Sequence, residues 1–129
     1  MLKLEDICQN DIGEWSILLS NGVEFCFSNQ DNPPSEETLK LVENIISKLD
    51  ELVARSLDYI DIWVDRDRPD IGRKYELYAV LMMTGNKEVK LEFNFPEDEM
   101  SEWWVLFIIL YYNESIIYSP VSFGRNQIY

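Results

Sequence analysis

Residues 103–112 read Trp103-Trp104-Val105-Leu106-Phe107-Ile108-Ile109-Leu110-Tyr111-Tyr112, an unbroken apolar run. Ten residues are about half of the roughly 20 that a helix needs to span a bilayer, so the run reads as a strand of a protein interior. Both of its faces are apolar, and such a strand needs cover on both sides. Asn113-Glu114-Ser115 turns the chain into a further strand over residues 116–123. Pro120 lacks a ladder donor there, which places this last strand at a sheet edge or kinks it.

Outward from that run, Val89, Leu91, Phe93 and Phe95 alternate with Glu88, Lys90, Glu92 and Asn94, the signature of a strand with one wet face. The strand before it, residues 75–84, is joined to it by Gly85-Asn86-Lys87. It carries Leu77, Ala79, Leu81 and Met83 on one side and Tyr78, Val80 and Met82 on the other, which suits a central position. Nearer the N-terminus, Trp15, Ile17 and Leu19 alternate with polar residues up to Asn21-Gly22, and Val23, Phe25 and Phe27 follow. Asn-Gly between alternating runs predicts a hairpin whose two turn positions both take positive φ.

Between these strand groups Ser35 is a good N-cap, with Glu36 and Glu37 complementing the helix dipole. Leu39, Val42, Ile46, Leu49 and Val53 then recur at three and four residues, predicting one amphipathic helix of at least five turns. Leu57, Ile60 and Val64 continue that spacing, while Ile60, Ile62 and Val64 also alternate like a strand; the helix is expected to end at about Ile60. Pro69 and Gly72 mark a loop beyond it. The expected fold class is α+β: residues 1–129 as one domain, an antiparallel sheet of about six strands in ββαββββ order, and one long helix packed on one face.

Composition limits what such a domain can do. With 129 residues, 47% apolar and 13% aromatic, the chain can build a core. Residues 1–11 have no basic stretch leading into an apolar one, so no secretory signal is read there and a cytoplasmic protein is expected. Cys8 and Cys26 are too few for a disulfide framework; reduced thiols are expected, with a single bridge between them left open. A formal net charge of −13 repels nucleic-acid phosphates and anionic membranes and attracts basic proteins. Acidity also serves solubility alone.

Absences are informative too. There is no histidine, which removes Ser-His-Asp and Cys-His catalysis and His-based zinc sites, and five scattered glycines make no phosphate loop. No catalytic residue, metal ligand or cofactor is therefore assigned, and the chain is expected not to be an enzyme. Carboxylate chemistry remains formally open, and Asp65, Asp67 and Asp70 lie close in sequence, but Arg66, Arg68 and Pro69 interrupt any calcium loop.

Two acidic clusters are the candidate binding residues. Asp58, Asp61 and Asp65 fall at helical spacing, and Glu97, Asp98, Glu99 and Glu102 form a second group. Each group also reads as an ordinary solvated face. Because one helix covers one side only, either the first hairpin folds over the second side of the sheet, or an apolar patch with residues such as Trp104, Tyr78 and Tyr112 is buried in a partner or homodimer.

The layout of N-terminal hairpin, long helix and C-terminal meander resembles small acidic bacterial immunity-type proteins of polymorphic and contact-dependent toxin systems. The strand pair beginning Glu102-Trp103-Trp104-Val105-Leu106-Phe107 and ending Val121-Ser122-Phe123 carries the likeness. What the resemblance implies is a protein that binds a cognate basic toxin or nuclease domain and blocks it by charge and shape. The alternative is a housekeeping structural or regulatory domain that self-associates through its apolar sheet face.

Overall fold

The computed structural model describes residues 7–9, 14–27, 33–67, 75–98 and 101–127. Seven strands form one sheet in chain order: β1 (Cys8–Gln9), β2 (Trp15–Leu18), β3 (Glu24–Phe27), β4 (Glu76–Met82), β5 (Glu88–Asn94), β6 (Ser101–Tyr112) and β7 (Ser115–Gln127). Among the described residues two helices, α1 (Glu36–Ser47) and α2 (Leu49–Asp67), lie between β3 and β4. The class is α+β as expected, but the sheet is mixed, because β3 and β4 pair in parallel while every other neighbouring pair is antiparallel. A helical connection that returns to the adjacent position of a sheet brings the next strand in the same direction.

The first hairpin extends the sheet instead of folding over it, with β2 paired to β3 and β1 added outside. Its turn also differs from expectation. Gly22 has positive φ (86°) and Asn21 does not; Asn21 Oδ1 accepts from the Val23 amide at 3.1 Å, and the Gly22 amide donates to the Leu19 carbonyl at 3.0 Å. The paired positive φ values occur at the β6–β7 turn, at Asn113 (47°) and Glu114 (66°). Strand β7 lies at the sheet edge, and between Leu106 and Phe107 its register slips past Val121, next to Pro120. The proline thus sits at an edge and beside a bulge, the two places that tolerate its missing donor.

The expected single helix is two. Ser35 caps α1 by accepting from the Thr38 amide at 3.2 Å. At the other end the Ser47 hydroxyl donates back to the Asn44 carbonyl at 2.7 Å, and Lys48 takes a non-helical conformation (φ −108°, ψ 9°) before the Leu52 amide bonds its carbonyl to start α2. Back-bonding serines bend helices, and the apolar spacing runs unbroken through the bend, so periodicity alone does not show it. Helix α2 then continues to Asp67, past the expected end near Ile60, because Ile60 and Val64 are both buried and Trp63 packs edge-on against Trp103 and Phe123. The predicted loop at Pro69 and Gly72 lies outside the described residues.

Both helices bury their apolar sides on one face of the sheet. Val42, Ile45, Leu52, Ile60 and Val64 meet Phe25, Phe27, Phe93, Trp103 and Phe107 in a single core. Polar bonds pin the layers together. The Tyr118 hydroxyl donates to Asn44 Oδ1 at 2.6 Å, Arg55 donates to the Tyr118 carbonyl at 2.8 Å, and Asn86 donates to Thr38 Oγ1 at 2.8 Å. No helix among the described residues is long and apolar enough to cross a membrane.

Cys8 and Cys26 both face Ser16, from opposite sides of β2. Two strand spacings are about 9.6 Å, beyond the ~7 Å Cα separation a disulfide can bridge, and both thiols are free. Burial, with Glu24 and Glu14 adding to it, pushes the Cys26 thiol up to about 12. Titration with a thiol reagent at neutral pH should therefore count two thiols, the exposed Cys8 reacting at least about tenfold faster than Cys26. Unfolding frees the Cys26 thiol to ionise near its ordinary 9.0, so stability should also fall as pH rises from 9.0 towards 12.

Candidate partner-binding face

Side chains alternate across a strand, so the register that buries one face defines the other. On β6 the buried residues Trp103, Val105, Phe107 and Ile109 alternate with Trp104, Leu106, Ile108 and Leu110, which point away from the helices. Across the ladders Leu81 on β4 and Ile117 on β7 share that second face. None of these outward residues belongs to the core, and among the described residues no element lies over them. Trp104, Leu106 and Ile108 are partly exposed, Leu110, Ile117 and the bulge residue Val121 about half exposed, and Tyr112 at the end of the row is 66% exposed. Among the described residues an apolar stripe is thus left partly open along β6 and β7, most of all at its Tyr112 end.

Charged side chains border the stripe. The β4–β5 ladder skips Tyr78, a bulge that re-aims its ring. The Tyr78 hydroxyl donates to Glu102 Oε1 at 2.5 Å and lies 3.5 Å from Glu92 Oε2. Burial first, and the bond to Glu102 second, push the Tyr78 hydroxyl well above its ordinary value, so it remains a donor. Glu92 is only 7% exposed although it stands on the open face, in register between Ala79 and Trp104. Lys90 reaches it at 3.9 Å and sits 5.8 Å from the centroid of the Trp104 ring. Trp104 itself lies against Gly124, where an added Cβ would come within 2.7 Å of the indole, and its Nε1–H is buried without a partner.

The sequence-derived candidates are distributed over two sides of the molecule. Asp58 and Asp65 are exposed on α2 and Asp61 is partly buried there, in the helix layer rather than on the open face. Asp61, Asp65 and Glu97 are each engaged in an interaction within the chain. Among the described residues Glu102 is the one candidate that belongs to the open face. Glu99 and Asp70 lie outside the described residues.

Asp98 requires a correction as a surface contact. It is buried, with 6% exposure, and receives the Trp103 indole N–H at 2.9 Å together with two bonds from Arg125 at 2.7 and 2.9 Å. This carboxylate holds the central tryptophan and the C-terminal strand in place. Charge clustering in the sequence placed it in a solvated group; the 3₁₀ turn at Pro96–Asp98 turns it inwards instead.

Glu92 and Lys90 were missed as candidates, because alternation alone makes them ordinary residues of a wet face. Their significance comes from register, which sets Glu92 opposite Trp104. Elsewhere, an open groove of about 530 Å³ runs between the β2–β3 turn, the start of α2 and the start of β4, with Asp50 and Glu76 exposed on its walls. No group of three or more Cys, Asp and Glu side chains among the described residues could hold a metal ion. No protein-family model, curated protein or solved structure matches this chain.

Replacing Asp98 with Ala removes the acceptor of the buried Trp103 indole N–H and of two bonds from the partly buried Arg125, which should cost about 3–5 kcal/mol in urea unfolding. The exposed neighbour Glu97, changed to Ala, should shift stability by less than about 0.5 kcal/mol.

Proposed function

We propose that this chain is a non-enzymatic binding protein of the immunity type, which neutralises a basic toxin or nuclease domain in the cytoplasm. The observation that carries this reading is the open sheet face, an apolar stripe on β6 and β7 bordered by the carboxylates of Glu88, Glu92 and Glu102. An apolar centre with a charged rim is the anatomy of a protein interface. The net charge of −13 would steer a basic partner towards the chain, with Asp58, Asp61, Asp65 and Glu97 contributing to the long-range field. Under this reading no bond is made or broken: inhibition is occupation of the partner's functional surface.

The same open face supports a second reading, a structural or regulatory domain that pairs with its own copy. Sedimentation separates the two, since self-pairing requires the mass to double as concentration rises.

The direct test passes lysate of the source organism over the immobilised chain at low salt and identifies what a salt gradient releases, which should be a single basic protein eluting at high salt. Expressed alone that protein should arrest growth, and co-expression of this chain should restore growth. The purified pair should bind at least about tenfold more weakly when salt is raised from low to high, because screening removes the steering charge. Continued arrest with no complex formed would contradict the proposal.

A further inference from the structure

We infer that the open sheet face docks its basic partner through an arginine, which the carboxylates of Glu92 and Glu102 receive against the wall formed by Trp104; this rests on the binding reading above and names what that face takes. The two carboxylates stand on adjacent strands around one hydroxyl, Glu102 at 2.5 Å from Tyr78 Oη and Glu92 at 3.5 Å. Tyr78 has a single proton to donate, and the shorter bond takes it. Glu92, 7% exposed, is left with Lys90 at 3.9 Å, an ion pair near the limit of contact. Glu102 thus meets a neutral hydroxyl and Glu92 a single, distant cation, at a place that is partly exposed at Lys90, Glu102 and Trp104.

A further cation would complete that balance, and its chemistry can be specified. Lys90 shows that a positive charge is held between Glu92 and the Trp104 ring, 5.8 Å from the ring centroid. A guanidinium suits the place better than a second ammonium. It is planar, can lie on an indole, and offers several N–H groups to two carboxylates at once. Trp104 is already fixed for such stacking by its close seat on Gly124. Beyond it, Leu110, Ile117 and Val121 offer apolar surface to the aliphatic residues around the incoming arginine.

Charge also argues against a second copy as the occupant. Glu24, Glu88, Glu92 and Glu102 share this face with Lys90, so two copies placed face to face would bring like charges together on a molecule that carries −13. A basic surface meets the same carboxylates with opposite sign.

The test titrates the intact protein with N-acetyl-arginine methylamide in the millimolar range and follows the tryptophan indole N–H signals by NMR. The expected result is a saturable shift of the Trp104 signal, with Trp63 and Trp103 unmoved. Binding should be at least about tenfold weaker for N-acetyl-lysine methylamide and for the isosteric variants Glu92→Gln and Glu102→Gln. Unmoved Trp63 and Trp103 signals in the variants report that the core is intact. A shift that does not saturate, that lysine matches, or that survives the double variant overturns the inference. Failure of the binding reading is seen separately, as the absence of any basic protein retained from a lysate by the wild-type chain at low salt.

Discussion

Strand β6 is apolar on both of its faces while both helices pack on the same side of the sheet, and the remaining features of the molecule follow from that asymmetry. On the covered side Trp103, Val105 and Phe107 are fully buried, and each such side chain contributes about 1.5–3 kcal/mol relative to exposure. Asp98 fixes the tryptophan by its indole N–H and ties β7 to the same point through Arg125. On the other side Leu110, Ile117 and Val121 forgo that contribution and stay in water. Exposed apolar surface in a contiguous stripe is a cost in a monomer and a source of affinity in a complex.

Electrostatics give the open side its sense. Carboxylates border the stripe, one of them mostly buried and only weakly paired, in a chain with more than twice as many acids as bases. Under the proposed binding function, apolar contact would supply affinity, while the charge would select who arrives and suppress self-pairing. The acids of α2 stand in the helix layer, away from the stripe.

Much of this was legible in the residues. Alternation located β2, β3 and β5, apolar runs located β4 and β6, Ser35 marked the start of α1, and the two apolar faces of residues 103–112 foretold a sheet with one side needing cover. Other features depend on information that spacing does not hold. The parallel pairing of β3 and β4 depends on the helices returning to the neighbouring position, and the bend at Ser47 and Lys48 depends on a side-chain hydrogen bond inside an unbroken apolar pattern. Strand β1, of two residues, is too short to show alternation. For the site, the acidic clusters were visible as sequence neighbours, but a sheet places residues of different strands side by side. Clustering put Glu102 and Asp98 in one solvated group, but the sheet places Glu102 on the open face and Asp98 is buried; Glu92 became visible only when register set it opposite Trp104.

The most direct test is carbene footprinting of the chain alone and in complex with the basic protein it retains from a lysate at low salt, read residue by residue. Protection of Trp104, Leu110, Ile117 and Val121, with α2 still labelled at Asp58 and Ile62, is the predicted result. Protection confined to α2, with the β6–β7 stripe labelled as in the free chain, would contradict the claim that the open sheet face is the binding surface.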